Sequence, residues 1–279
     1  MSHMSANFLM LFASLIWGTA FVAQTTGMGF IGPFTFSFAR FLCATLTVLP
    51  LVLLFERKNF MIFIKNKNYI YLSLFAGLAL FGGMGLQQYA LLKSQIANAS
   101  FLSTLYVPIV SLISRFFFRS HLHWIIWTAV LLCLYGSYLL SSNQTTEIQQ
   151  SDILLFIAAV FFAIHIILID VFMKQFYSPF TFGFIQYAVV FFCSLILAFS
   201  FENPTFVNIR IEWFEIVYTG VLSAGVGYTL QIIAQSKASP APAAIILSME
   251  SVFGTIAGWI LLNQILDANK ILGCIAIFV

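Results

Sequence analysis

Long runs of apolar residues, separated by short polar connections, follow one another along the whole chain. The first nine runs have roughly the 20 residues that an α-helix needs to cross the hydrocarbon core of a bilayer. We therefore predict ten membrane spans, over residues 7–27, 33–55, 69–91, 97–115, 124–140, 152–171, 180–201, 213–235, 240–262 and 268 to the end. The tenth run has about 12 residues, or about 18 Å of helix, so we expect it to be an incomplete span.

Composition supports the same prediction. Of the 279 residues, 61% are hydrophobic and 8% are charged, against roughly 25% charged residues in soluble proteins. The mean hydropathy is +1.01. So few charges cannot cover a soluble surface, and the connections are too short to form a separate extramembrane domain. We predict an all-α, multi-pass integral membrane protein.

The charged residues are divided unevenly between the two sides of the predicted bundle. Most basic residues share one side: Arg57, Lys58, Lys65, Lys67, Arg115, Arg119, Lys174 and Lys237. The other side has Lys93, Arg210 and Lys270 and most acidic residues: Glu147, Asp152, Glu202, Glu212, Glu215 and Asp267. Because lysine and arginine accumulate in cytoplasmic connections, we expect both termini in the cytoplasm and the protein in a bacterial cytoplasmic (inner) membrane.

Two stretches of the chain are repeated in the same order. The nine residues from Pro33 match the nine from Pro179 at five positions, and Gly77–Val110 aligns without a gap on Gly220–Phe253. In the second alignment Gln88 is paired with Gln231. We predict a first five-helix repeat over 7–140 and a second over 152–279. Because five is an odd number of spans, the second repeat would be inverted, which is a transporter architecture.

Three short motifs carry a family resemblance. They are Ser14-Leu15-Ile16-Trp17-Gly18, Arg40-Phe41-Leu42 and Ala243-Ala244-Ile245-Ile246-Leu247-Ser248-Met249-Glu250-Ser251-Val252-Phe253. With these motifs the sequence resembles the drug/metabolite transporter superfamily, and in particular its ten-helix EamA-type members. Ser251 stands where the family commonly has a proline. The resemblance implies export or exchange of amino acids, related metabolites or drugs.

Two charged residues lie deep inside predicted spans. Arg40 is about seven residues from the outer end of its span and Glu250 about ten from the inner end of its own, which places them within about 5 Å of one depth. Charges inside a bilayer are costly and are functional candidates. Two interpretations stay open for Glu250: a static ion pair with Arg40, or binding of a substrate amine or a proton, which we favour.

Polar and aromatic side chains recur on single faces of several spans. Trp17 follows Ser14 and precedes Phe21 and Gln24 at helical spacing, and Tyr228 shares a face with Gln231. Further candidates are Gln88, Tyr106 and His165. Such faces either bond neighbouring helices or line a central aqueous cavity. In the second case all of these side chains, with Arg40 and Glu250, would bind the substrate or couple its transport.

Taken together, these patterns predict a secondary transporter of small metabolites, with amino acids or related compounds as the expected substrates. An integral membrane enzyme acting on lipids and a channel are the alternatives, but the sequence offers no catalytic cluster. The four cysteines, Cys43, Cys133, Cys193 and Cys274, lie in apolar runs without a CxxC pair, and we predict no metal or other cofactor. The expected partners are a small-molecule substrate and the lipid bilayer, with protons as a further candidate and no nucleic acid. Gly254 and Gly258 form a GxxxG motif that leaves a homodimer open.

Overall fold

The computed structural model describes residues 2–94, 96–141 and 149–278, and the chain in these ranges is built from helices. The α-helices are α1 (His3–Thr26), α2 (Pro33–Phe55), α3 (Arg57–Phe63), α4 (Lys67–Ala90), α5 (Ile96–Thr104), α6 (Tyr106–Phe116), α7 (Trp124–Ser141), α8 (Gln150–Gln175), α9 (Pro179–Phe201), α10 (Phe206–Ile211), α11 (Trp213–Val217), α12 (Tyr228–Gln235), α13 (Pro240–Leu247), α14 (Glu250–Leu262) and α15 (Ala268–Phe278). A π-helix, Tyr218–Gly227, connects α11 to α12.

Eight of the ten predicted spans are helical stretches long and apolar enough to cross a membrane within the described ranges. The other two coincide with the shorter apolar helices Trp124–Leu140 and Ala268–Phe278. The prediction of an all-helical chain with many apolar spans is therefore confirmed. The short helices α3 and α10 lie in connections that were predicted without structure. Most of the connection 141–151, including Glu147, lies outside the described residues.

The helices pack in a pattern that relates the two halves of the chain. Helix α2 packs along α9, and α7 along α15. Helix α4 packs on α8, while the π-helix and α12 pack on α1. In the same way α5 and α6 contact α8, while α13 and α14 contact α1. These contacts made by one half therefore have counterparts made by the other.

Carboxylates connect the ends of α2 and α9. Glu56, which ends α2, accepts hydrogen bonds from the backbone N–H groups of Phe180 (3.2 Å) and Thr181 (2.8 Å) in the first turn of α9. Glu202, which ends α9, accepts from the N–H groups of Phe34 (2.9 Å) and Thr35 (2.7 Å) in the first turn of α2. A carboxylate at a helix N-terminus satisfies otherwise unpaired donors and interacts favourably with the helix dipole. The two helices are consequently antiparallel and fastened at both ends.

Two spans are interrupted at positions that the sequence alignment pairs with each other. Leu105 separates α5 from α6, and the two residues from Ser248 separate α13 from α14. In the first span Pro108 lacks an N–H group, so a backbone hydrogen bond is lost there. In the second no proline lies at the interruption itself, and tight bonds between residues three apart form there, from Met249 N to Ile246 O (3.2 Å) and from Ser251 N to Ser248 O (3.0 Å). The serine that replaces the family's proline therefore does not remove the interruption.

The two glycines of the predicted GxxxG motif pack inside the chain. A Cβ atom on Gly254 would lie 3.5 Å from the carbonyl oxygen of Gly18 in α1, and one on Gly258 would lie 2.7 Å from Oε1 of Gln264. On the other side, a Cβ on Gly18 would meet the backbone nitrogen of Gly254 at 2.7 Å. The motif thus brings α1 and α14 together and is used within one chain.

Candidate functional site

A narrow cavity lies among α1, α4, α6, α8, the π-helix, α12, α13 and α14. Six of the eight predicted site residues line it: Trp17, Tyr106, His165, Tyr228, Gln231 and Glu250. The centres of water molecules have about 40 Å³ available in this space, which corresponds to roughly three waters. The structure therefore brings most of the predicted residues together, in an arrangement with little free space between them.

The aromatic side of the cavity is built around Trp17 and Tyr228. Their ring centroids are 4.7 Å apart, and the rings are tilted by 45°. The indole Nε1 of Trp17 donates to the carbonyl oxygen of Ser223 in the π-helix (3.1 Å), while the Tyr228 hydroxyl donates to Sδ of Met84 (2.8 Å). A Cβ atom on Gly227 would lie 2.7 Å from Trp17 Nε1. The glycine is therefore needed for the approach of the indole to the π-helix.

Glu250 occupies the first position of α14, immediately after the interruption of its span. Its side chain is 8% exposed and lines the cavity. No cation or hydrogen-bond donor in the described part of the chain lies within bonding distance of the carboxylate. The ion pair with Arg40 that was considered from the sequence is therefore wrong for this structure; the ion pair that the described residues form is Lys174–Asp170, at 2.7 Å. The positive end of the α14 dipole is the favourable feature of the position.

Arg40 and Gln88 do not line the cavity but lie behind Gln24, which does. Arg40 Nη1 donates to Oε1 of Gln24 (2.9 Å), and Gln88 Nε2 donates to the backbone oxygen of Gln24 (3.1 Å). Both side chains are buried. Gln24, which the sequence placed on the same helix face as Trp17, thus connects these two predicted residues to the cavity.

His165 forms a hydrogen bond within the second half of the chain. Its Nε2 lies 2.6 Å from Oε1 of Gln186, and because an amide oxygen only accepts, the imidazole is the donor. The sequence alignment that pairs Pro33 with Pro179 also pairs Arg40 with Gln186. Each half therefore has, at the same position of its second span, a polar side chain that bonds the first span of that half.

Several cavity residues were not identified as candidates from the sequence. Met84 and Gln87 line the cavity from α4, and Phe162 lines it from α8. Met84 lies four residues before Gln88, so a search for a helix face around Gln88 would have found it. Gln87 lies three residues after Met84 and would have been found from Met84 in turn. Ser223 contributes its backbone oxygen, for which a side-chain pattern gives no signal.

The cavity combines one carboxylate with polar groups that lack partners and with aromatic faces. The Tyr106 hydroxyl and Oε1 of Gln231 form no hydrogen bond with any residue that the structure describes. Such groups can exchange hydrogen bonds with a ligand, and aromatic faces attract cations. The chemistry suits a small molecule with a positively charged amine. Within the described ranges, no three His, Cys, Asp or Glu side chains gather in the way that a metal site requires.

Comparison with known proteins agrees with this architecture. The model of the EamA-like transporter family matches the chain twice, over residues 4–142 and 149–279. An uncharacterized transporter of Archaeoglobus fulgidus is 26% identical over 264 residues, which cover 95% of this chain and 80% of the relative. The uncharacterized transporter YoaV of Bacillus subtilis is 25% identical over 272 residues, covering 95% and 91%.

A solved crystal structure shares the fold. It superposes with a TM-score of 0.80 at 18% identity, over 99% of this chain and 95% of that chain. The resemblance noted from the sequence is confirmed by the family match over nearly all of the chain. The protein is an integral, multi-pass membrane protein, and it belongs to the EamA-like transporter family.

Proposed function

We propose that this member of the family is a secondary transporter of amino acids or closely related metabolites, which it exports or exchanges by alternating access. The observation that carries the proposal is the carboxylate of Glu250, which is nearly buried in an aromatic cavity without a cation or donor among the described residues. A buried charge without a partner is destabilised by desolvation. It therefore favours a ligand that brings its own positive charge, such as a protonated amine.

The proposed architecture is ten spans in two inverted repeats, over 7–140 and 152–279. Three observations support it. The family model matches once in each half. The helix contacts of one half have counterparts in the other. Finally, the two interrupted spans break at aligned positions, and interrupted helices at the junction of inverted repeats form the substrate site in several transporter folds.

The proposed mechanism assigns different tasks to the cavity residues. Glu250 binds the substrate amine and takes up a proton when the substrate leaves, so that the carboxylate is not left charged and unpaired. Trp17 and Tyr228 provide apolar contact and attraction for the cation. Because the cavity holds only a few waters, the walls must separate to admit a metabolite. The interruptions at Leu105 and Ser248 are the proposed points of bending.

The proposed orientation follows the basic residues. The side that carries Arg57 and Lys58 faces the cytoplasm, together with both termini, in the cytoplasmic membrane of a bacterium.

Protons are proposed to bind at Glu250 during the transport cycle, because Glu250 is the carboxylate that lines the cavity. Tyr106, His165 and Tyr228 are the other titratable groups that line it.

Counterflow in proteoliposomes tests the proposed function. The full chain would be reconstituted, the vesicles loaded with one unlabelled L-amino acid at a time, and uptake of the labelled form followed. A carrier predicts faster tracer uptake into loaded vesicles than into empty ones for at least one amino acid. Uptake that is independent of loading would indicate a channel, and absence of uptake for every amino acid would contradict the proposed substrate class.

A further inference from the structure

Arg40 carries a buried charge without an anion beside it among the described residues. Its side chain is 1% exposed, and Nη1 donates to Oε1 of Gln24 at 2.9 Å. Nε and Nη2 form no hydrogen bond with any residue in the described ranges. The rings of Phe36 and Phe41 lie 5.6 and 5.1 Å from the guanidinium carbon. Aromatic faces compensate such a charge in part, but they accept no strong hydrogen bond.

The two atoms without partners belong to one edge of the guanidinium group. Nε–H and one N–H of Nη2 point in the same direction and form a planar fork. This fork matches the two oxygens of a carboxylate, which it binds through two parallel hydrogen bonds. The bond to Gln24 uses the other terminal nitrogen. The partner of Arg40 therefore occupies one nitrogen and leaves the carboxylate-binding edge unused.

Gln24 connects Arg40 to the cavity. Its side chain lines the same space as Glu250, while its Oε1 is the atom that Arg40 binds. Gln88, which contacts the backbone of Gln24, also has an unpartnered Oε1. Tyr228 lines the cavity together with Gln24 and Glu250. The opposite charges of Arg40 and Glu250 are thus close to one cavity without being paired to each other.

We propose that the Nε–Nη2 edge of Arg40 binds the carboxylate of the transported substrate after Gln24 moves aside, while Glu250 binds the amino group. This inference rests on the proposed function and narrows it: the substrate is a zwitterionic amino acid, and a simple amine lacks one of its two charge partners. Because Arg40 is almost fully buried in this conformation, movement of Gln24 is required. The displaced glutamine amide can then bond the substrate or Gln88.

Thermal unfolding of the purified full chain tests the carboxylate site without requiring transport. The probes are propionate, which has a carboxylate and no amine, propylamine, which has the reverse, and propionamide, which has neither charge. We expect propionate to raise the melting temperature of the wild type with a saturable dose dependence, and Arg40→Gln to lose this response. Propylamine should still act on Arg40→Gln but not on Glu250→Gln. Propionate without effect on the wild type, or with the same effect on Arg40→Gln, would overturn the proposal.

Two milder variants separate a binding role from a packing role. Arg40→Lys keeps the charge but not the fork. We therefore expect the propionate concentration that gives half of the melting-temperature shift to rise about tenfold or more. Gln24→Ala keeps the fork and removes the side chain that both lines the cavity and bonds Arg40, so the propionate response should persist or strengthen. If Arg40→Lys changes the melting temperature but leaves the propionate response as in the wild type, Arg40 is a packing residue and the proposal is wrong. Arg40→Lys also decides the question if Arg40→Gln does not fold.

The counterflow measurement makes the two possible failures distinguishable. Equal transport of an amino acid and of its decarboxylated amine, with no propionate response, would leave the proposed carrier intact and overturn the role of Arg40. A propionate response that depends on Arg40, without counterflow of any amino acid, would retain the carboxylate site and overturn the proposed substrate class.

Discussion

Glu56 and Glu202 have the same role at opposite ends of one antiparallel helix pair. Each residue ends its own helix and accepts hydrogen bonds from the first backbone N–H groups of the other. If the sequence alignment that pairs Pro33 with Pro179 is continued without a gap, it also pairs Glu56 with Glu202. The relationship therefore has the form expected of a two-fold axis that relates an inverted repeat. It fixes α2 against α9 without any direct contact between the two carboxylates.

Removal of either carboxylate should lower the stability of the fold. We expect Glu56→Ala and Glu202→Ala each to cost about 1–2 kcal/mol, because backbone donors at a helix N-terminus lose their acceptor. Each carboxylate also accepts from one hydroxyl, that of Ser178 for Glu56 and that of Thr35 for Glu202. Glu56 should cost more, since it is 7% exposed whereas Glu202 is only partly buried. Unfolding in detergent measures this, with the exposed Lys58→Ala as control. Two variants as stable as the control would show that the caps contribute nothing.

Cysteine labelling tests the inverted arrangement and its orientation. In a background without the four native cysteines, Asn203→Cys should react with an impermeant maleimide on intact cells, whereas Lys58→Cys should react only after permeabilisation. The reason is that α2 and α9 are antiparallel and Lys58 lies on the predicted cytoplasmic side. The reverse pattern would overturn the orientation, and labelling of both positions from one side would contradict the inverted repeat.

The position of the Trp17 ring should matter for transport. We expect Trp17→Ala and Tyr228→Ala each to lower counterflow about tenfold or more while the protein still folds and inserts, because each removes an aromatic wall of the cavity. Gly227→Ala is the matched variant: it keeps both rings but would place Cβ 2.7 Å from Trp17 Nε1, so it should impair transport as well. Normal kinetics in all three variants would show that these aromatics serve packing alone.

The spans were predictable because a helix that crosses a bilayer needs a run of about 20 apolar residues, and such runs are visible in the sequence. Their bounds agree with the helices to within a few residues; the span predicted over 33–55 is α2, Pro33–Phe55. The short helices α3 and α10 were missed because they have too few residues to show a period. The π-helix was missed because its residues have the composition of an ordinary apolar helix, and the widened turn leaves no mark in the sequence.

The sequence predicted most of the residues that line the candidate site, but not which of them bond each other. Counting residues along a helix gives the depth of Arg40 and Glu250, but it does not say which way each helix is turned toward its neighbours. For that reason the sequence could not distinguish an ion pair with Glu250 from the hydrogen bond to Gln24 that the structure has. The roles of Glu56 and Glu202 were also overlooked, because the repeat alignment was not continued as far as these two residues.

The most direct test of the account is the pH dependence of counterflow for Glu250→Gln beside the wild type. The variant keeps the shape of the side chain and removes its charge and its titration. We expect transport to be abolished or strongly slowed, any residual transport to vary little with pH, and thermal stability to be nearly unchanged, because no described residue bonds the carboxylate. Unchanged transport together with a large loss of stability would show that Glu250 is a structural residue and would contradict the proposed carrier mechanism.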